Sequence, residues 1–367
     1  MRTFFGYTVR LLFMTFIIHH SSFILCSQQA ITVCGDAGAG GYEAFPDICR
    51  LPDGELLCVF YAGFAHVSLP SYAPGGKMPP ECPNAGRICL VRSRDNGKTW
   101  SGPTIVVDTP RDDRDPSIAC LPDGTLLVDY FSHRPGAGGV GYQFVYSAIV
   151  RSTDGGKTWS AEQPLFKQWA CSSPIRRLSD GRLALALYYV GTVKAKGSHY
   201  GGISFSSNNG RTWSDPIPIG KDGPIRLDAE PDIIELPGGK LLAGLRTAAG
   251  EKTGAFSWSN DSGRTWSTPT PTGWLAQSMY FLRTSKGILL IGHRHPGTSL
   301  HYSLDDGQTW SANFQLDQAG GAYPSMVELP DGTIYCVYYD EGPQADIRAV
   351  RFEADHAGIR IIPPSQW

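Results

Sequence analysis

The chain has 367 residues, 18% of them charged, with 32 basic against 34 acidic side chains and a formal net charge of −2. So weak and slightly acidic a balance gives no footprint for nucleic acid. Forty-three glycines and 27 prolines point to many tight turns rather than long helices.

Residues 1–27 read as a secretory signal. Arg2 and Arg10 flank an apolar run, Leu11-Leu-Phe-Met-Thr-Phe-Ile-Ile18, and a second apolar patch follows at Phe23-Ile-Leu-Cys26. His19, His20 and the serines break the segment too often for a membrane span. The expected protein is therefore exported, to the periplasm or the extracellular space, with residues 28–367 as one domain. Its charge balance becomes 30 basic against 34 acidic once Arg2 and Arg10 are gone.

Two phrases then alternate along the chain. The first, roughly Leu-Pro-Asp-Gly-x-Leu-Leu, makes six turns, at Gly54, Gly124, Gly181, Gly239, Gly287 and Gly332. Its flanks are short, apolar and β-prone, as in Gly54-Glu-Leu-Leu-Cys-Val-Phe60, and predict a buried inner hairpin. The second phrase is Ser-x-Asp-x-Gly-x-Thr-Trp, with Asn208 for the Asp in one copy. It begins at Ser93, Ser152, Ser206, Ser259 and Ser303, at spacings of 59, 54, 53 and 44 residues. Its Asp can accept backbone N–H bonds, its Gly supplies positive φ, and its Trp is placed to pack between neighbouring units. A period near 50 residues is that of a propeller blade. The predicted fold is all-β, a six-bladed propeller of four-stranded antiparallel blades. The sixth blade has an inner hairpin but no Asp phrase after Asp346-Ile-Arg-Ala-Val-Arg-Phe352. Ala30-Ile-Thr-Val33 is expected to supply its outer strand and so close the ring.

Eight cysteines follow Cys26. Cys49, Cys58, Cys89, Cys120 and Cys336 fall in strand-like runs, as small buried hydrophobes. Export permits disulfides, with Cys82 to Cys89 or Cys34 as conceivable pairs. No Cys/His spacing suits zinc, no cofactor is expected, and a monomer is the expected state.

The turns also set a register. Nine residues before the turn glycine stand Phe45, Asp115, Glu230, Ser278 and Tyr323, with Ser173 in a blade one residue shorter. In a propeller these positions, with the ends of the second strands, share one rim of the channel. Arg114, Asp115, Asp228, Glu230, Arg246, Arg294, Tyr323, Asp340 and Glu341 are thereby gathered on one face. Glu230 and Tyr323 are the pair of most interest. A phenol is a poor nucleophile, but a neighbouring carboxylate can take its proton and arginines can favour its anion. A neutral attacker also suits a sugar whose anomeric carbon already bears a carboxylate, which arginines would grip.

These phrases resemble the sialidase superfamily of Asp-box, or BNR-repeat, proteins over nearly all of the chain after the signal. Ala229-Glu-Pro-Asp-Ile-Ile-Glu-Leu-Pro-Gly-Gly-Lys-Leu-Leu-Ala-Gly-Leu-Arg246 is similar to the stretch that carries that family's base glutamate and one arginine of its triad. Ala322-Tyr-Pro-Ser-Met-Val-Glu-Leu-Pro-Asp-Gly332 resembles the segment of its nucleophilic tyrosine. The resemblance implies Tyr323 as nucleophile, Glu230 as its base, Arg246 and Arg294 as carboxylate ligands and Asp340 as a further site acid. The match departs in blade one, where Glu43-Ala-Phe-Pro46 has Ala44 in place of the first triad arginine. Arg114, one blade later, is the expected substitute. The loop from Gly63 to Gly86 should carry the acid/base aspartate but holds only Glu81 as an acid, with His66 near its start. Asp115 and Asp47 are the candidates for that role. The implied activity is removal of a terminal acidic sugar, whether sialic acid, a keto-deoxy acid or a uronic acid, from a glycan or glycoconjugate. Two alternatives are a non-catalytic carbohydrate-binding propeller and a uronate lyase using Tyr323 with His293.

Overall fold

The computed structural model describes residues 30–191, 199–341 and 345–367; the signal segment and Cys26 lie outside them. Six antiparallel sheets follow one another in the chain and form a six-bladed β-propeller. Blade one consists of Tyr42–Arg50, Leu56–Gly63, Arg87–Ser93 and Thr104–Val107. Blade two consists of Asp112–Cys120, Leu126–Pro135, Tyr142–Ser152 and Gln163–Pro164. In blade three the inner strand is split into Trp169–Ala170 and Arg176–Arg177, before Leu183–Tyr189, Gly201–Ser206 and Ile217–Ile219. Blade four runs Leu227–Leu236, Lys240–Thr247, Ala255–Ser259 and Thr270–Pro271. Blade five runs Gln277–Arg283, Leu289–Arg294, Thr298–Ser303 and Phe314–Asp317. Within blades one, two, four and five, neighbours in sequence are neighbours in the sheet, and in blade three both inner pieces pair with Leu183–Tyr189.

Blade six begins with Ala322–Glu328, Ile334–Asp340 and Asp346–Asp355. Its outer edge is capped by Ile31–Cys34, with Ile31 opposite Ala349, and further along by Gly358–Ile362, with Arg351 opposite Ile362. The expected closure by the N-terminal strand is thus present, and a second segment prolongs it. Both ends of the described chain pair with one strand, so that strand offers no free edge for another chain to join.

The apolar residues sort into one cluster per blade interface. Between blades six and one, for example, Leu56, Cys58 and Phe60 face Tyr335, Val337 and Tyr339. The Trp of each Asp phrase packs on the interface with the preceding blade: Trp100, Trp159, Trp213, Trp266 and Trp310 each border a different cluster. The Asp phrase itself is a hydrogen-bonded turn. The Asp154 carboxylate accepts from the Thr158 N–H at 3.0 Å and its hydroxyl at 2.6 Å, while the Gly156 N–H donates to Ser152 Oγ at 2.8 Å. The Asn208 copy keeps the N–H bond at 2.9 Å and turns its amide toward the Thr212 hydroxyl. All eight described cysteines are free thiols, so Cys82 is disulfide-bonded to neither Cys89 nor Cys34. Its Sγ instead contacts the Ala85 carbonyl.

A single irregularity recurs in the inner strands. The residues nine before the turn glycine, Phe45, Asp115, Glu230, Ser278 and Tyr323, all have positive φ, between 35° and 55°. At each of them the pairing with the next strand slips. These are β-bulges, which re-aim a side chain out of the strand's alternation. A proline follows in four of the five, as Phe45-Pro46, Asp115-Pro116, Glu230-Pro231 and Tyr323-Pro324; lacking an N–H, it leaves no donor stranded where pairing fails. Each non-glycine residue held there costs about 1–2 kcal/mol, which the packed blades must offset.

One residue beyond the proline, polar side chains tie the blades beneath the bulges. Asp47 accepts from the Ile118 N–H of blade two at 2.7 Å and the Ser325 hydroxyl of blade six at 2.5 Å. Asp232 accepts from Arg176 of blade three at 2.9 Å and from the Phe281 N–H of blade five at 2.6 Å. These two struts fix the spacing of the inner strands they join.

Candidate functional site

Five bulges aim Phe45, Asp115, Glu230, Ser278 and Tyr323 into one end of the channel, where they border a small cavity of about 30 Å³ also lined by Pro46, Pro116, Pro174 and Pro324. The Tyr323 hydroxyl donates to Glu230 Oε1 at 2.9 Å. Arg246 places one nitrogen 2.6 Å from Glu230 Oε2 and 3.5 Å from the Tyr323 oxygen, and its other terminal nitrogen 3.2 Å from Asp228. The Arg294 guanidinium lies over the Tyr323 ring at 5.9 Å. Tyrosine, glutamate and both arginines, drawn from blades four, five and six, therefore meet at one point. Burial first and the Glu230 charge second hold the Tyr323 phenol above its ordinary value, against Arg246 and Arg294, which pull it down. At rest it is protonated, with its proton directed at Glu230.

Asp115 stands on the opposite wall, from blade two. Burial, the largest influence, raises its carboxyl to about 7 although Arg114 pulls the other way. It is thus poised to hold or release a proton near neutrality. Arg114 is placed differently from the sequence expectation. It is 4% exposed, pairs with Asp112 at 3.3 Å and Asp115 at 3.6 Å, and donates to the His66 carbonyl. Its guanidinium also stacks against Phe45 and Tyr61, at 5.2 and 5.3 Å. Arg114 is a strut that holds Asp115 and the His66 loop, with no free face for a substrate carboxylate.

Asp340 pairs with Arg348 at 3.4 Å rather than with Arg246 or Arg294. The neighbouring Glu341 faces Arg294 instead, at 3.9 Å. Asp47 is buried in its two interblade bonds, and Glu81 is exposed. His293 is fully buried and stacked on His301 at 5.0 Å. It alternates with Arg294 along its strand, so when Arg294 faces Tyr323, His293 points into the blade; the Tyr323–His293 pair considered for a lyase is not formed.

Three further groups were not singled out by register alone. Gln277 Oε1 accepts from Arg294 at 3.2 Å and helps to aim it. Asp112 balances Arg114. The run Asp112-Asp113-Arg114-Asp115, four charges inside an inner strand, was a legible signal of an ionic cluster. Tyr42 is the third: its hydroxyl lies 3.0 Å from His66 Nδ1 and 3.5 Å from Glu341. It sits two residues before Ala44, on the same face of the strand.

The BNR repeat-like domain family matches residues 84–336. A sialidase from Micromonospora viridifaciens is 25% identical over 364 residues, taking in 87% of this chain, which spans about half (52%) of that relative's length. Among solved structures, a protein of unknown function from Dyadobacter fermentans DSM 18053 superposes with a TM-score of 0.74 at 21% identity, over 91% of this chain and 98% of that one. The Hadza microbial sialidase Hz136 gives a TM-score of 0.67 at 18% identity, over 87% of this chain and 68% of its own. The chain belongs to the BNR repeat-like family, on a six-bladed scaffold that it shares with sialidases.

Proposed function

We propose that this protein is an exported exo-glycoside hydrolase of the sialidase kind, which removes a terminal acidic sugar through a tyrosine nucleophile. The observation that carries the reading is the 2.9 Å bond between Tyr323 and Glu230, bridged on both members by Arg246. In the first step Tyr323 Oη bonds to the anomeric carbon as its proton passes to Glu230. The bond from that carbon to the leaving oxygen breaks, and Asp115 gives that oxygen its proton. A water then attacks the same carbon. Asp115 takes the water's proton, the tyrosyl oxygen departs, and Glu230 returns its proton to the phenol. Arg294 and the outer edge of Arg246 grip the sugar's carboxylate. The sialidase relative supports the reaction class, and sialidases are the glycosidases in which a tyrosine replaces the usual carboxylate nucleophile.

The test is a screen of the purified protein against fluorogenic α-glycosides of sialic, keto-deoxy and uronic acids, with Tyr323→Phe alongside. Turnover that Tyr323→Phe abolishes supports the reading. No turnover of any substrate, or full activity in Tyr323→Phe, refutes it.

A further inference from the structure

The blade-one wall of the site, where the arginine is missing, is neutral but not inert. Tyr42 is wedged by rings on every side: Phe45, Tyr61, Tyr339 and His66 lie with centroids 6.0–6.5 Å away. Two of these, Phe45 and Tyr339, also flank Tyr323, at 5.0 and 6.0 Å. The Tyr42 hydroxyl is therefore held in the same pocket as the nucleophile candidate by packing.

The hydrogen bonds fix which way its proton points. Arg114 faces His66 Nε2 at 3.5 Å, and an arginine can only donate. On that assignment Nε2 is the acceptor, the ring proton is on Nδ1, and Nδ1–H donates to the Tyr42 oxygen at 3.0 Å. Burial, then Arg114, lowers His66 to about 4, so the ring is neutral at pH 7. Tyr42 is left with its own O–H to give, and it points at Glu341 Oε1, 3.5 Å away. The other oxygen of Glu341 lies 3.9 Å from Arg294. One carboxylate thus spans an O–H donor and a guanidinium, at distances well beyond the 2.7–2.9 Å of a tight charged bond, with its side chain 41% exposed.

We propose that Tyr42 and Arg294 form a carboxylate cradle that Glu341 occupies at rest, so that Tyr42 replaces the missing arginine and Glu341 competes with an acidic substrate. This deepens the reading above and rests on its claim that the ligand carries a carboxylate. The cradle reads charge on the substrate through one cation and one neutral donor. Glu341 would swing outward when the cradle fills, at small cost because its contacts are long and partly exposed.

The test measures binding rather than turnover, by calorimetry. The probes are ring-unsaturated, non-hydrolysable analogues of sialic, keto-deoxy and uronic acids, each as the free acid and as its methyl ester. The ester keeps the ring and removes the charge. We expect at least one acid to bind more tightly than its ester. Glu341→Gln should then tighten that acid by about threefold or more with little change for the ester, and Tyr42→Phe, which keeps the ring packing, should weaken the acid selectively. If no acid is preferred over its ester, if Glu341→Gln leaves acid binding unchanged or weaker, or if Tyr42→Phe has no effect, the cradle is wrong. Failure of the hydrolase reading has a different signature, since it would abolish turnover in the fluorogenic screen while leaving these affinities in place.

Discussion

Replacing Asp115 with Asn tests the proposed proton donor in a way that separates chemistry from folding. The carboxyl is nearly fully buried and is raised to about 7, by burial first and against the pull of Arg114. With that value, about nine-tenths of the molecules carry the proton at pH 6 and about one-tenth at pH 8, a roughly tenfold loss of the competent form across two units. General acids contribute about 10²–10⁴ in rate, or about 3–5 kcal/mol, when the leaving group needs the proton. The effect should shrink for an aryl leaving group, which departs with little help. The assay is kcat/KM against pH on two substrates with the same terminal sugar, one linked to a second sugar and one to a fluorogenic phenol. Wild type should lose activity on the alkaline side of pH 7 with the sugar-linked substrate. Asp115→Asn should abolish that limb and cost far more on the sugar-linked substrate than on the aryl one. Equal losses on both substrates, or an alkaline limb that survives in Asp115→Asn, would show that Asp115 is not the acid.

Tyr323→Phe should fold as wild type, because the ring contacts with Phe45 and Tyr339 persist, while hydrolysis falls at least about 10³-fold; activity above that level would demand another nucleophile. Asp232→Ala breaks the strut among blades three, four and five, stranding the Phe281 N–H and leaving Arg176 with its bond to the Phe281 carbonyl but no carboxylate partner. Urea titration should show a loss of about 3–5 kcal/mol, and a loss under about 1 kcal/mol would mean that the blades are held by their apolar faces alone. Gly97→Ala puts a Cβ 2.2 Å from the buried Tyr335 ring at φ +85°, so backbone strain and overpacking should together cost about 2–5 kcal/mol. A neutral result in a thermal melt would contradict the contact between blade one's turn and blade six. The melting temperature should also vary with pH through buried titratable groups. Burial raises Asp47 and Asp113 to about 6 and Glu43 and Asp115 to about 7. Because these groups bind protons more tightly when folded, their contribution is complete below their unfolded values and is lost as pH rises through 6 and 7. Asp261 and Asp305 lie at about 2, held down first by the Thr265 and Thr309 hydroxyls, and their contribution is lost as pH falls through that value. The acids' own contribution is therefore greatest at about pH 4. The neutral His66 and His293, lowered to about 4 and about 3 first by desolvation, oppose it, since their contribution is lost as pH falls below about 6.5. Glu43→Gln should flatten part of the alkaline fall in differential scanning calorimetry, and an unchanged profile would contradict a buried protonated Glu43.

Local sequence determined the architecture because its determinants are short-range. A turn needs its glycine, its carboxylate and its Thr within eight residues, and repetition of that unit dictates how many blades there are. The same counting put Tyr323, Glu230 and Asp115 at equivalent positions, and the common positive φ at all three shows why: one bulge is repeated blade after blade. Ring closure by Ile31–Cys34 was also legible, since one blade lacked a strand and one strand lacked a blade.

What only the tertiary structure decided is which charges remain free. Arg114 and Arg246 lie on the same rim by register, yet one is sealed between two rings and two carboxylates while the other bridges Tyr323 and Glu230. Asp340 and Glu341 are adjacent in sequence, but a strand's alternation sends the first to Arg348 and leaves the second to Arg294. Tyr42 reaches the site only because four rings from blades one and six wedge it there. Pairing and burial depend on residues tens to hundreds of positions away, and a local pattern carries no information about them. The sequence alone thus determined which residues share the rim of the candidate site, and the packing of the blades decided what charge that rim presents.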